Sequence, residues 1–207
     1  MKALNILVGC EKSQEVCKAF RARGHKAFSC DLLPCSGGHP EWHLQMDVLD
    51  AIKLKKWHMG IFFPDCTYLT VSNTYLTRGC SKYTKEEAVI LVNKAELFFM
   101  KLVSAPIDKI AIENPIGRMS TKYRKPNQII QPYNFGEDAS KSTCLWLKGL
   151  PRLNGTKYIK PRIVNGKNRW ANQTDSGQNK LGPSETRGEE RAKTYGGIAK
   201  AMASQWG

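Results

Sequence analysis

Hydrophobic and polar positions change period along the chain, and the changes predict strands and helices in alternation. Asn5-Ile6-Leu7-Val8 is a short apolar run closed by Gly9, and residues 11–23 carry Val16, Ala19 and Phe20 on one helical face. Gly24 stops that helix, and His25-Lys26-Ala27-Phe28-Ser29-Cys30 predicts a second strand with Asp31 at its carboxyl end. Residues 57–63 predict a strand broken by Pro64, and residues 110–112 another ahead of Pro115. Between them, Thr84 and Glu87 have capping-box spacing before the helical stripe Ala88, Leu91, Val92, Ala95, Phe98, Phe99 and Leu102. After Gly117 the texture turns polar and is punctuated by Pro and Gly, with strands predicted at 128–132 and 143–147. Residues 154–194 look loop-rich, with Asn165-Gly166, Ser176-Gly177 and Gly182-Pro183 as turns, and a last helix spans 198–206. This order predicts a Rossmann-like α/β fold, a mostly parallel sheet with helices on both faces. Ligands bind such sheets at the carboxyl ends of the strands, where Gly9, Asp31, Pro64 and Glu113 fall.

The length of 207 residues suits one domain. No apolar run reaches a membrane span, because Asn93, Lys94, Glu96 and Lys101 interrupt the longest apolar-rich stretch. The amino terminus also lacks a secretory pattern, so a cytoplasmic location and no membrane partner are expected. Seven cysteines, an odd number spread from Cys10 to Cys144, predict reduced thiols rather than a disulfide scaffold. Thirty-two Lys and Arg against eighteen Asp and Glu give a net charge of +14. Residues 118–207 hold +11 of it, which points to a polyanionic partner for the carboxy-terminal part.

Three places carry candidate chemistry. Asp31 follows Gly9 by 22 residues, the interval at which a Rossmann-type site sets a carboxylate against ribose hydroxyls, although a strand-end Asp also caps turns. Gly9-Cys10-Glu11-Lys12-Ser13 offers a single glycine, which disfavours a dinucleotide and suits S-adenosylmethionine, a nucleoside cofactor without phosphate. Cys66, in Pro64-Asp65-Cys66, falls just past a strand end on the ligand side, where a thiolate can form and be reached. Glu113-Asn114-Pro115 ends the neighbouring strand. A rival constellation, Cys30, Cys35, His39 and His43, lacks the spacing of a common zinc finger, so no metal is expected.

Together these motifs resemble the DNA cytosine-5 methyltransferase family, in which a Pro-Pro-Cys loop supplies a nucleophile and a Glu-Asn-Val loop holds the base. The resemblance covers nearly the whole chain in the family's order. It implies the S-adenosylmethionine-dependent methyltransferase variant of the Rossmann-like fold. It also implies cofactor contacts from Gly9, Cys10, Glu11, Asp31, Leu32, Asp47, Val48, Pro64, Gly197, Ile198 and Ala199. Lys141, in Lys141-Ser142-Thr143-Cys144-Leu145-Trp146, stands where the family has a basic strand at the flipped nucleotide. More narrowly, the chain is similar to short methyltransferase-like proteins of phages and prophages. Asp65, Pro115 and Lys141 depart from the family's proline, valine and arginine. The family's target-recognition domain is reduced here to residues 149–194, which implies little sequence specificity.

The resemblance implies methyl transfer to carbon 5 of cytosine in DNA. Cys66 is then the nucleophile, Glu113 the hydrogen-bonding partner of the ring, and Asn114 the residue that orients the loop. A target base leaves the duplex or comes from a single strand, and Arg118, Arg124, Lys125, Arg162, Lys167 and Arg169 are candidate phosphate contacts. Asn168, Arg169, Asn172, Gln173, Gln178 and Asn179 can read base edges or satisfy the backbone. Trp146 is expected in the core, while Tyr158 and Trp170 suit either packing or base stacking. Two rivals stand: a catalytically impaired DNA-binding decoy, and a pyrimidine-modifying enzyme acting on RNA or nucleotides.

Overall fold

The computed structural model describes residues 2–71, 83–182 and 187–207. Apolar runs make most of the strands β1 (Asn5–Gly9), β2 (Lys26–Asp31), β4 (Met59–Phe62), β5 (Lys109–Pro115) and β6 (Gln128–Ile130), and the short polar β3 (His43–Gln45) adds to them. With β7 (Thr143–Lys148) they form one seven-stranded sheet in the order β3-β2-β1-β4-β5-β7-β6. β1 pairs in parallel with both β2 and β4, so the strand order reverses there and opens a crevice at the carboxyl ends. β7 runs antiparallel to β5 and β6. This is the Rossmann-like α/β fold that the alternation predicts, a mostly parallel sheet with helices on both faces.

Period-2 alternation assigns each strand's side chains to two cores. Ile6 and Val8 of β1, Met59 and Ile61 of β4, Ala111 of β5 and Leu145 and Leu147 of β7 face one layer. Leu7, Phe62, Ile110, Ile112, Cys144 and Trp146 face the other. The first layer is closed by α1 (Glu15–Arg21) and α6 (Gly196–Trp206), through Val16, Phe20, Met202 and Trp206. The second is closed by α2 (Val48–Ala51), α3 (Lys85–Val103) and α4 (Met119–Lys122). Burial of these fully enclosed aliphatic and aromatic side chains, at about 1.5–3 kcal/mol each, is what holds the sheet rigid under the site. Among the described residues, no helix is long and apolar enough to cross a membrane.

The capping box is present as expected: the Glu87 amide donates to Thr84 Oγ1 at 3.2 Å and the Thr84 amide to Glu87 Oε2 at 2.9 Å. Other boundaries move for identifiable reasons. The first helix starts at Glu15, not at residue 11, because Cys10 and Gln14 take left-handed backbone angles, φ 59° and 60°. The strand expected from Trp57 begins at Met59, since the Trp57 indole is turned to donate to the Ala51 carbonyl. The supposedly loop-rich tail holds a hairpin, β8 (Arg162–Val164) and β9 (Lys167–Arg169), around Asn165 and Gly166 at φ 49° and 73°. It also holds α5 (Arg187–Ala192). Pro183 of the expected Gly182-Pro183 turn, residues 183–186 of the reduced recognition segment, and the seventh cysteine, Cys80, lie outside the described residues.

Candidate active site

The sheet's carboxyl ends gather most of the residues singled out by sequence. β4 ends at Phe62, and Pro64 is buried behind an exposed Asp65 and a part-buried Cys66. Asp65 Oδ1 accepts from the Thr67 amide at 2.9 Å and the Thr67 hydroxyl at 2.7 Å, and the Leu69 and Thr70 amides both donate to the Cys66 carbonyl. Asp65 therefore caps the turn that presents Cys66, a task proline cannot perform.

β5 delivers the second loop. Asn114, 1 % exposed, donates from Nδ2 to the Pro64 carbonyl at 2.9 Å, which ties the end of β5 to the cysteine loop. Beyond it the two loops are joined main chain to main chain. The Arg118 amide donates to the Leu69 carbonyl at 2.8 Å and the Val71 amide to the Ile116 carbonyl at 3.3 Å, around a Thr70–Gly117 bridge. A Cβ on Gly117 would lie 2.0 Å from the Leu69 oxygen, so only glycine fits at the crossing.

Cys66, Glu113 and Lys141 act on one another. Burial pushes the Cys66 thiol up, the Asp65 and Glu113 carboxylates add to that, and the Lys141 ammonium pulls it back. Burial likewise raises the Glu113 carboxyl, opposed by Lys141 and by a hydrogen bond from Thr143. A raised Glu113 keeps its proton to higher pH than a free carboxyl does, so it can serve as a hydrogen-bond donor. Phe63, Glu113, Lys141, Thr143, Tyr195 and Ile198 line one narrow cleft, so α6 closes over the same place.

At the β1 end, Gly9 is pressed by neighbours: a Cβ there would meet Val48 Cγ2 at 2.4 Å and Phe62 Cδ1 at 2.7 Å. Cys10 follows, its thiol raised by burial and then by Asp31, Cys30, Asp47 and Asp65. Three carboxylates, from β2, the α2 cap and the cysteine loop, thus lie near enough to Cys10 to disfavour its anion. Asp31 Oδ1 accepts from the Leu33 amide and Asp47 Oδ1 from the Leu49 amide, so each spends one oxygen on a turn. Leu32 stands beside them with 71 % of its surface exposed. Acidic surroundings, an exposed aliphatic side chain and no phosphate cradle fit S-adenosylmethionine, which is cationic and lacks phosphate.

Several expectations are corrected. Glu11 is buried and accepts from the Val16 amide at 2.7 Å and the Cys17 amide at 3.2 Å, so it caps α1 instead of facing a cofactor. Ala199 is 1 % exposed in the core, and Val48 is buried beneath Gly9. Gly197 donates its amide to Glu137 Oε1 at 2.8 Å and sits against the Phe135 carbonyl, a seat for the α6 start. Ile198, although buried, does line the cleft.

Four of the six expected phosphate contacts hold the protein together. Arg118 pairs with Glu96 at 2.8 Å, and Arg124 donates to the Lys125 and Leu147 carbonyls. Arg162 pairs with Asp175, and Arg169 donates to the Asp175 and Asn168 carbonyls. Lys125 and Lys167 are exposed. Trp170 stacks on Tyr133 at 4.2 Å, Tyr158 is 57 % exposed, and Trp146 is in the core with its indole donating to the Arg124 carbonyl. Of the rival metal constellation, Cys30 donates to the Met46 carbonyl, His39 stacks on Trp42 and His43 joins Ser29 to the Leu33 carbonyl. Cys35 is part-buried. Among the described residues no group of side chains is placed to hold a metal ion.

Two further residues bear on the site: Gln131, to which the sequence does not point, and Asn172, which it offers only as a base reader or a backbone partner. Gln131 accepts the Lys141 amide at 2.9 Å, and Asn172 holds both backbone groups of Ser140. Neither belongs to a motif, and only the folded chain brings them to Lys141.

The fold and site together define a Rossmann-like chain with a thiol, a carboxyl and an ammonium at the mouth of its sheet. Compared with solved structures, the chain is similar to the crystal structure of the S. pombe Dnmt2 methyltransferase, with a TM-score of 0.45 and 15% identity over 72% of this chain. It spans about half, 52%, of that protein's chain. No protein-family model matches the sequence, and no curated protein matches it.

Proposed function

We propose that the chain transfers a methyl group from S-adenosylmethionine to carbon 5 of cytosine in DNA, with little sequence specificity. The observation that carries this reading is that Glu113 and Lys141 line one cleft and both act electrostatically on the part-buried Cys66 thiol of the neighbouring loop. Carbon 5 of cytosine is a poor nucleophile until a thiolate adds to carbon 6. Cys66 supplies that thiolate. Its proton is held at rest, because burial and two carboxylates disfavour the anion, and Lys141 is the group that favours its release.

As the sulfur–carbon bond forms, the ring's electrons move toward nitrogen 3, where Glu113 donates its proton or a hydrogen bond. Asn114 keeps the cysteine loop at the end of β5 during this exchange. S-adenosylmethionine, when bound, supplies a methyl group on a sulfonium, and Asp31, Asp47, Asp65 and Leu32 are the residues that hold it. Carbon 5 takes the methyl group, which leaves a neutral thioether behind, and then gives its own proton to water while nitrogen 3 returns its proton to Glu113; the Cys66 sulfur departs as a thiolate and the aromatic ring is restored. Low specificity follows from the candidate base readers: Asn172, Gln173 and Asn179 spend their side chains on backbone groups, and Arg169 on two carbonyls.

The test is a denaturation-resistant complex with DNA carrying 5-fluorocytosine, formed in the presence of S-adenosylmethionine. Wild type forms it and Cys66→Ser does not, while both bind DNA. Binding without an adduct on single- or double-stranded DNA favours the binding-protein reading. An adduct with 5-fluorocytosine RNA alone moves the substrate class to RNA.

A further inference from the structure

We propose that Asn172 is a positioning residue for Lys141, and that with Gln131 it links the β8–β9 segment to the chemistry at Cys66. This deepens the reading given above and rests on it for the meaning of Lys141, though not for its test.

Lys141 precedes β7, outside the sheet. β5 and β6 both end opposite Thr143, so no strand continues alongside residues 140–142 to hold their backbone. Side-chain amides replace the missing ladder. Asn172 Oδ1 accepts from the Ser140 amide at 3.0 Å while its Nδ2 donates to the Ser140 carbonyl, also at 3.0 Å. Gln131 Oε1 accepts from the Lys141 amide at 2.9 Å, and its Nε2 donates to Ser142 Oγ at 2.7 Å. One amide thus holds both polar groups of the residue before Lys141, and another holds Lys141's own amide. The Tyr195 hydroxyl, from the cleft wall, lies against the Asn172 amide.

Asn172 is itself held firmly. Trp170 stacks on Tyr133 with an interplanar angle of 10°, the Ala171 amide donates to Asp138 Oδ1 at 2.9 Å, and the Lys180 amide donates to the Asn172 carbonyl at 2.9 Å. Arg162 of β8 donates to the Gln173 carbonyl at 2.8 Å. A continuous run of hydrogen bonds and stacked rings therefore leads from the hairpin, where Lys167 is exposed, to the peptide that carries Lys141.

The experiment is a pH profile of Cys66 alkylation by iodoacetamide, read by peptide mass spectrometry on the full chain without cofactor or DNA. Lys141→Met sets the reference: losing the ammonium moves the profile to higher pH and slows alkylation about three- to tenfold at a fixed pH below the thiol's own pKa. Asn172→Ala is expected to move the profile in the same direction, and to add nothing further in a Lys141→Met background. Asn172→Asp, which keeps an acceptor for the Ser140 amide but sets a carboxylate against the Ser140 carbonyl, serves where the alanine variant melts early. An unmoved profile in a folded Asn172 variant overturns the proposal. So does a shift of equal size with and without Lys141, which would mean that Asn172 acts by another route. Because no methyl transfer is read, a failed DNA adduct with a successful alkylation cycle would remove the reaction assignment and leave the positioning intact.

Discussion

Replacing Gly117 by alanine tests whether the joined loops are what keep Cys66 in place. The added Cβ falls 2.0 Å from the Leu69 carbonyl oxygen and 2.9 Å from its carbon, and both obstacles are backbone. To restore even a 3.0 Å separation the two loops must move apart by about 1 Å, and no side-chain rotation can absorb it. Two hydrogen bonds cross that junction, Arg118 to Leu69 and Val71 to Ile116. At about 1 kcal/mol each their loss costs about 2 kcal/mol, or roughly 4–8 °C in melting temperature for a chain of this size. The effect on chemistry should be larger, since a misplacement of about 1 Å at a reacting group can cost about 100-fold. The assay pairs thermal unfolding with the rate of adduct formation on 5-fluorocytosine DNA. Gly182→Ala is the control, because a Cβ there meets nothing within 4 Å. Wild-type melting and wild-type adduct rate in Gly117→Ala would refute the reasoning.

Other substitutions probe other parts. Asn114→Asp removes a buried donor and points an acceptor at the Pro64 carbonyl, with an expected loss of about 2–4 kcal/mol by urea unfolding and a slower adduct; unchanged stability would contradict the tie between β5 and the cysteine loop. Burial pushes Glu11 up to about 8 in the folded chain, above its ordinary 4.5. Such a carboxyl contributes most below pH 4.5, and stability is lost as pH rises toward 8. Glu11→Gln should flatten the fall in urea midpoint between pH 5 and pH 8, and an equally steep fall in the variant would count against it. Joint reversal of Lys125 and Lys167 to Glu should weaken DNA binding and lower the log–log salt slope by about 0.9 per lost phosphate contact, whereas an unchanged slope would take both lysines out of the interface.

The features legible in the sequence are those whose cause is local. The capping box at Thr84 and Glu87, the period-2 strands and the turn at Asn165-Gly166 each announce themselves within a few residues. Cys66, Glu113 and Asn114 are readable because each sits where an apolar strand gives way to polar sequence, which places them at one end of a sheet before any contact is known. β3 and α2 escape because they are three and four residues long, too short to show a period. Glu11 reads as a ligand-side residue until the left-handed Cys10 and Gln14 turn it back onto α1. The arginines show the limit of counting charge. Arg118 and Glu96 lie 22 residues apart, and Arg162 and Asp175 lie 13 apart, so neither pairing is visible until the chain folds. Asn172 is visible as a residue able to satisfy the backbone, but its partner, 32 residues away, is not.

The three carboxylates around Cys10 stand out against a chain whose net charge is +14. A molecule with that contrast sorts ligands by sign before any of them touches a specific side chain. At long range a net positive charge attracts polyanions, while the carboxylates of Asp31, Asp47 and Asp65 repel phosphates close to Cys10. A small cation meets the reverse: weak repulsion at a distance and attraction at the last few ångströms. The same charges make a nucleoside triphosphate an unwelcome guest there, even with its base packed on the exposed Leu32. Two charged ligands of opposite sign can thus share one sheet end without competing for the same seat.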